Sequence, residues 1–239
     1  MLGEKGSSFK IIYEIKCEKE EDKCIFDIDI DRKTLLIKNS PPKIEWAKMD
    51  YFACSICPVK DKFDYCPLAI QLPGIIKYFA NKYSYQIAEI KVITEEREYF
   101  LKTSIQRGLS SLLGIIMPAS GCPILAKLKP MVPFHLPFAT PEETEYRVFS
   151  TYLFAQFLRW KNGLEPDWEM KNLGNIYEEI RLVNQNVVDK LKELSQKDAN
   201  LNAVVILDTF TEFISMSLED TDFSDLSHYF EVFLDRTKI

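Results

Sequence analysis

The spacing of apolar residues changes once along this chain, and that change limits what it can fold into. Before residue 104 the apolar positions alternate. In SFKIIYEIK, Phe9, Ile11, Tyr13 and Ile15 are separated by more polar neighbours, and CIFDIDID sets Cys24, Phe26, Ile28 and Ile30 against Asp27, Asp29 and Asp31. A period of two is that of a strand with one buried face. The polar segment KEEDK reads as the turn between them, and TLLIK as a third short strand. QIAEIKVIT and REYFLKT, joined by a turn at Glu95 and Glu96, add two more. The sum is an antiparallel sheet of about five strands. SPPK interrupts it, and PLAIQLPGIIKYFANKY reads as one helix crossing the sheet, opened by Pro67 and kinked or broken at Pro73.

From Ser104 onward the period is helical. Ser104 is placed to cap IQRGLSSLLGIIM. TPEETEYRVFSTYLFAQFLRWKNG carries a full set of helix signals: Thr140 as N-cap, Pro141 in the first turn, Glu143 to close a capping box, and Gly163 beyond the end. A further helix is expected from an Asp167 cap, with Ile176, Ile180, Val183, Val187, Leu191 and Leu194 forming an apolar stripe. LNAVVILDTFTEFISMSL is apolar all round, which suits a buried helix, and SDLSHYFEVFLD reads as a short final one. The fold class is therefore α+β. A sheet-rich part, residues 1–103, carries a cysteine loop, and a helical part, residues 104–239, packs with it as one unit.

A formal charge of −6 opposes general nucleic-acid binding, which needs a basic face. The N-terminus MLGEKGSSFK lacks the pattern of a signal peptide, and the longest apolar stretch, GLSSLLGIIMPASGCPIL, is too broken to span a bilayer. The expectation is a cytoplasmic protein with no membrane or nucleic-acid partner, in which thiols stay reduced.

Six cysteines then ask for an explanation. Cys54 and Cys57 are spaced to bind one tetrahedral ion from a single turn, and Cys66 follows in the same loop. Cys122 is the candidate fourth ligand. Like Cys66 it precedes a proline, a context in which the thiol faces free backbone N–H groups at a helix start. Zinc is the favoured ion, with the four sulfurs expected to converge. An iron–sulfur cluster accepts the same four thiolates and stays as the alternative, and buried thiols without metal are the plain reading. Cys17 and Cys24, on or beside strands, belong to that plain category. A thioredoxin-like role for Cys54 and Cys57 lacks the strand-to-helix context it requires.

Of two histidines, His135 lies between prolines just ahead of a helix, as a turn anchor, a ligand or a general base, and His228 falls in the acidic tail. Arg107 is the cation beside a segment rich in small residues, including Gly108, Ser110, Ser111 and Gly114; it suits an anion contact or an internal ion pair. Asp27, Asp29 and Asp31 read as a solvated strand face rather than a calcium loop. No phosphate-binding glycine loop and no nucleophile motif occurs.

The segments FACSICP, YCPLA, TSIQRGLSSLLGIIMPASGCP, MVPFHLPFATPEETEYR and GLEPDW, in that order, resemble an uncharacterised bacterial family known only as a domain of unknown function. The resemblance is closest over residues 45–170. It implies a bacterial intracellular protein and brings no activity with it. The reading that results is a non-enzymatic module with a cysteine-ligated structural metal. The alternative is a redox protein or enzyme using the same cysteines. The stripe centred on Val183 has two readings: it covers the apolar helix LNAVVILDTFTEFI within the chain, or it pairs with a second copy in a homodimer through the helical part.

Overall fold

The structure is a computed structural model and describes residues 6–18, 21, 23–194, 197–219 and 224–234. Lys19, Glu20 and Asp22 of the expected KEEDK turn, residues 1–5 of the N-terminus and Asp235 of the expected last helix lie outside the described residues. So does the side chain of Leu194.

The alternating segments form an antiparallel sheet of four strands: β1 Ser8–Cys17, β2 Cys24–Asp31, β3 Ile87–Ile93 and β4 Glu98–Ser104, in the order β2-β1-β3-β4. Phe9, Ile11, Tyr13, Ile15 and Cys17 of β1 all point into the core, and Tyr13 stands opposite Phe26 on one side and Val92 on the other. The fifth strand expected at TLLIK does not form. The Asp31 carboxylate accepts the Lys33 and Thr34 N–H groups and the Thr34 hydroxyl, and Leu35 turns back with φ 55°. A side chain that bonds its own backbone this way competes with the ladder, so only Ile37 bridges to Ile30.

The expected crossing helix is cut in two. After a short α1, Met49–Phe52, come α2, Pro67–Gln71, and α3, Pro73–Phe79; Pro73 lacks the N–H that would continue the first. The helix across the inner face of the sheet is α4, Ile105–Ala119. Ser104 sits at its N-cap without a capping bond, because the carbonyls of Gln86 and Ser84 take the Ile105 and Gln106 N–H groups instead. A 3₁₀ turn, Leu125–Met131, then leads to α5, Pro141–Lys161, where the Thr140–Glu143 capping box forms in full. Next are α6, Lys171–Leu194, and α7, Ala199–Glu219, followed by short turns from Ser224 to Leu234. Asp167 caps α6 from four residues upstream: its carboxylate accepts the N–H groups of Lys171 and Asn172.

The layers are thus sheet, α4, and the α6–α7 pair. One buried cluster runs through all of them, from Tyr13 and Ile90 through Leu109 and Leu112 to Val183, Val187 and Val204. The α6 stripe is covered by α7 within the chain, and Val183 is 3% exposed, so that surface is not open to a second copy. By length and composition alone, α7 is the described helix that could cross a membrane; its Ala203, Val204 and Ile214 are buried in this fold.

Two glycines in α4 meet opposite surroundings. A Cβ on Gly108 would come within 2.0 Å of Ile90 Cδ1, whereas one on Gly114 would meet nothing within 4 Å. Gly108→Ala is expected to destabilise by about 1–3 kcal/mol through overpacking. Gly114→Ala is expected to stabilise by up to about 1 kcal/mol, the helix-propensity gain. Urea unfolding of both variants checks the pair; equal effects would refute the assigned helix face.

Candidate functional site

The cysteine loop is held between two backbone anchors. Cys66 N–H donates to the Ala47 carbonyl at 2.8 Å, Met49 N–H donates to Asp64 at 2.8 Å, and Lys48 bridges to Tyr65. These place the start of α2 beside α1, and Cys54 follows α1 by two residues. The second strand of the site arrives from the end of α4. Gly121, with φ +98°, brings its Cα so near the loop that an added Cβ would lie 3.4 Å from Pro67 Cβ. An L side chain there would be strained by the backbone, and this contact lies directly beside Cys122 and Cys66 in the chain.

The four thiols share one neighbourhood. Burial pushes the Cys54 thiol up to about 11, and Cys57, Cys122 and Cys66 each push it further in the same direction. Burial likewise raises Cys66 to about 11 and raises Cys122. Against this, backbone N–H groups turn onto the sulfurs: Ile56 onto Cys54, Leu68 and Ala69 onto Cys66, Ile124 and Leu125 onto Cys122. The two Cys-Pro segments therefore fold alike, each thiol accepting from the residues two and three positions on. Cys122 does so at a turn ahead of the 3₁₀ segment rather than at the helix that Pro123 was expected to open. Among the described residues, no group of three or more His, Cys, Asp or Glu side chains is arranged as a ready metal cage. The sequence-predicted ligands are neighbours as free thiols.

His135 and Arg107 come together elsewhere, on a cavity of about 510 Å³ bounded by α4, α5, α6 and α7. Arg107 Nη2 donates to the Phe138 carbonyl at 3.0 Å, rather than to a carboxylate as in the expected ion pair. His135 ends a chain of hydrogen bonds: Phe138 N–H donates to Ser111 Oγ at 3.2 Å, the Ser111 and Tyr13 hydroxyls are 2.8 Å apart, and the Tyr13 hydroxyl lies 2.5 Å from His135 Nε2. Burial, and then repulsion from Arg147, depress the His135 pKa to about 3, in agreement with a neutral ring. Tyr13, Ser111 and Arg147 were not picked out from the sequence. Tyr13 read as one more inward strand residue, and its partners lie about a hundred positions away.

A family model described as a domain of unknown function (DUF6901) matches residues 11–231. No curated protein and no solved structure matches the chain.

Proposed function

The chain belongs to the family of the domain of unknown function DUF6901, and for it we propose a non-enzymatic cytosolic module stapled by a cysteine-ligated structural metal, zinc in preference to an iron–sulfur cluster. What supports the proposal is that Cys54, Cys57, Cys66 and Cys122 lie near enough to act on one another's charge, with backbone N–H groups turned onto three of the four sulfurs. Such donors favour the thiolate, whereas packing alone would favour an uncharged, apolar wall. Burial, and then the neighbouring thiols, raise Cys54, Cys66 and Cys122; a dication would turn that mutual repulsion into ligation and release the protons. Four protein ligands would close the coordination shell, which is the mark of a structural rather than a catalytic zinc site. Free thiols at Cys24, Cys54, Cys57, Cys66 and Cys122 suit a reducing compartment. Metal analysis of protein purified under reducing conditions tests this: one zinc per chain is expected. A brown protein containing iron would replace zinc by a cluster, and a metal-free protein that takes up neither would end the proposal.

For self-association the helical part offers a different surface from the covered stripe. Between Val148 and Leu158, α5 carries no charged residue, yet Phe154 is 61% exposed, and Phe157, Leu158 and Trp160 are exposed beside it. An uncharged apolar face does not repel its own copy, and a second chain docked on it by a two-fold axis would bury the aromatics of both. Light scattering is expected to give a dimer, and Phe154→Glu a monomer with unchanged helix content. A wild-type monomer at micromolar concentration would refute the contact.

A further inference from the structure

The cavity between the helices lies apart from the cysteine cluster and is independent of the metal reading. Its volume of about 510 Å³ is within the usual range of small-molecule sites, roughly 300–1,000 Å³. Leu113, Met117, Leu128, Ile180, Leu207 and Phe210 give it an apolar body. The charged side chains that reach it are the cations Arg107 and Arg147, set among hydroxyl and amide groups. Arg147 contributes a half-buried guanidinium, of which only Nη2 is engaged among the described residues, by the carbonyls of Met131 and Phe134 at 3.5 and 3.3 Å. The carboxylate that acts on it, Glu143, already accepts the Thr140 N–H in the capping box. Burial on α6 raises the Tyr177 pKa, and Arg147 is close enough to act against that rise and also on His135. His135 has its Nε2 taken by Tyr13, which leaves Nδ1 as the ring nitrogen available to a ligand. At the back, Asn184 is 1% exposed and its Oδ1 has no partner among the described residues.

A cation sunk into an apolar wall is costly unless an anion meets it. We propose that this cavity binds a small organic carboxylate, its aliphatic body lying along Leu113, Leu207 and Phe210 and its carboxylate held by Arg147, Tyr177 and the Nδ1–H of His135. The charge of the site selects the anion, since Arg107 lines the same cavity and adds a second positive group. The Ser111–Tyr13–His135 chain serves to hold the imidazole in one orientation.

Titration calorimetry on the full chain, with octanoate and octan-1-ol as probes, tests the proposal. Octanoate is expected to bind at least tenfold more tightly than the alcohol, which fills the same apolar space without the charge. Arg147→Gln should remove that preference. Because Arg147 also tethers the 131–134 turn, a second variant is needed. Gly114→Leu projects into the cavity from a position where an added Cβ meets nothing within 4 Å, and it should abolish binding of both probes without lowering the melting temperature. No binding of octanoate, equal affinity for acid and alcohol, or unchanged binding in folded Gly114→Leu would each overturn the assignment.

Discussion

Stripping the metal from zinc-loaded protein is expected to lower its melting temperature by roughly 6–20 °C, the equivalent of about 3–5 kcal/mol at the 2–4 °C per kcal/mol of a chain this size. The loss stays below the roughly 10–16 kcal/mol that holds a zinc-finger peptide together, because this chain keeps its sheet and α4 core without the ion. What loosens is local: the loop from Cys54 to Cys66, the start of α2, and the turn at Cys122, which approach one another through Gly121 and Pro67. Cys57→Ser should reproduce most of the shift. Chelation of that variant should then add little, since both changes remove the same interaction and are therefore not additive. Cys24→Ser, on β2 and away from the loop, should leave the chelator effect intact. An unchanged melting temperature after verified metal removal, or fully additive effects of Cys57→Ser and chelation, would show that the thiols are packing groups only.

Legibility followed the range of the interaction. The sheet could be read because Phe9, Ile11, Tyr13 and Ile15 repeat a local period, and the capping box at Thr140 and Glu143 because it is complete within four residues. TLLIK misled because Asp31 diverts the backbone through its own side chain, a local competition that apolar content does not reveal. The repeated Cys-Pro context suggested that Cys66 and Cys122 belong together, and the structure makes them neighbours, but the contact beside them, Gly121 against Pro67, joins two segments distant in sequence. The α6 stripe shows the opposite limit. Its apolar face was plain in the sequence, while its occupant, α7 rather than a second chain, depended on which helix folds back on which.

The cavity was the least legible part. Arg107 and His135 were noticed because they are rare cations beside small residues and prolines. Arg147 was hidden in an ordinary helical turn, and Tyr13 inside a strand pattern that already accounted for it. Only the fold brings α4, α5 and β1 together at His135.

That convergence carries the second large effect, a loss of stability toward acid beginning at the His135 pKa of the unfolded chain. The folded ring, buried and facing Arg147, has a pKa near 3, against 6.5 ordinarily. For a histidine depressed in this way the stability is complete above pH 6.5. As pH falls below that value the unfolded chain takes up a proton that the folded one refuses, so stability drops at up to about 1.4 kcal/mol per pH unit. Followed down to about pH 3 the single group accounts for a loss on the order of 3–5 kcal/mol. Asp31, Asp167 and Asp198 have lowered pKa values, from hydrogen bonds and, for Asp167, despite opposing burial. Their stabilisation disappears in the same direction, but only as the pH falls toward their ordinary value of 3.8. Asp208, raised by burial and then by Glu212, acts in the opposite direction, so the histidine is isolated by the difference between wild type and a His135 variant from pH 6.5 to 5. His135→Gln keeps an acceptor for the Tyr13 hydroxyl and cannot titrate, so urea unfolding of this variant should lack the wild-type loss of stability across that window. His135→Phe leaves the buried Tyr13 hydroxyl without its acceptor, and should lower stability at pH 7 by about 1–3 kcal/mol while also flattening the profile. A wild-type slope retained in folded His135→Gln would place the acid-sensitive proton on another group.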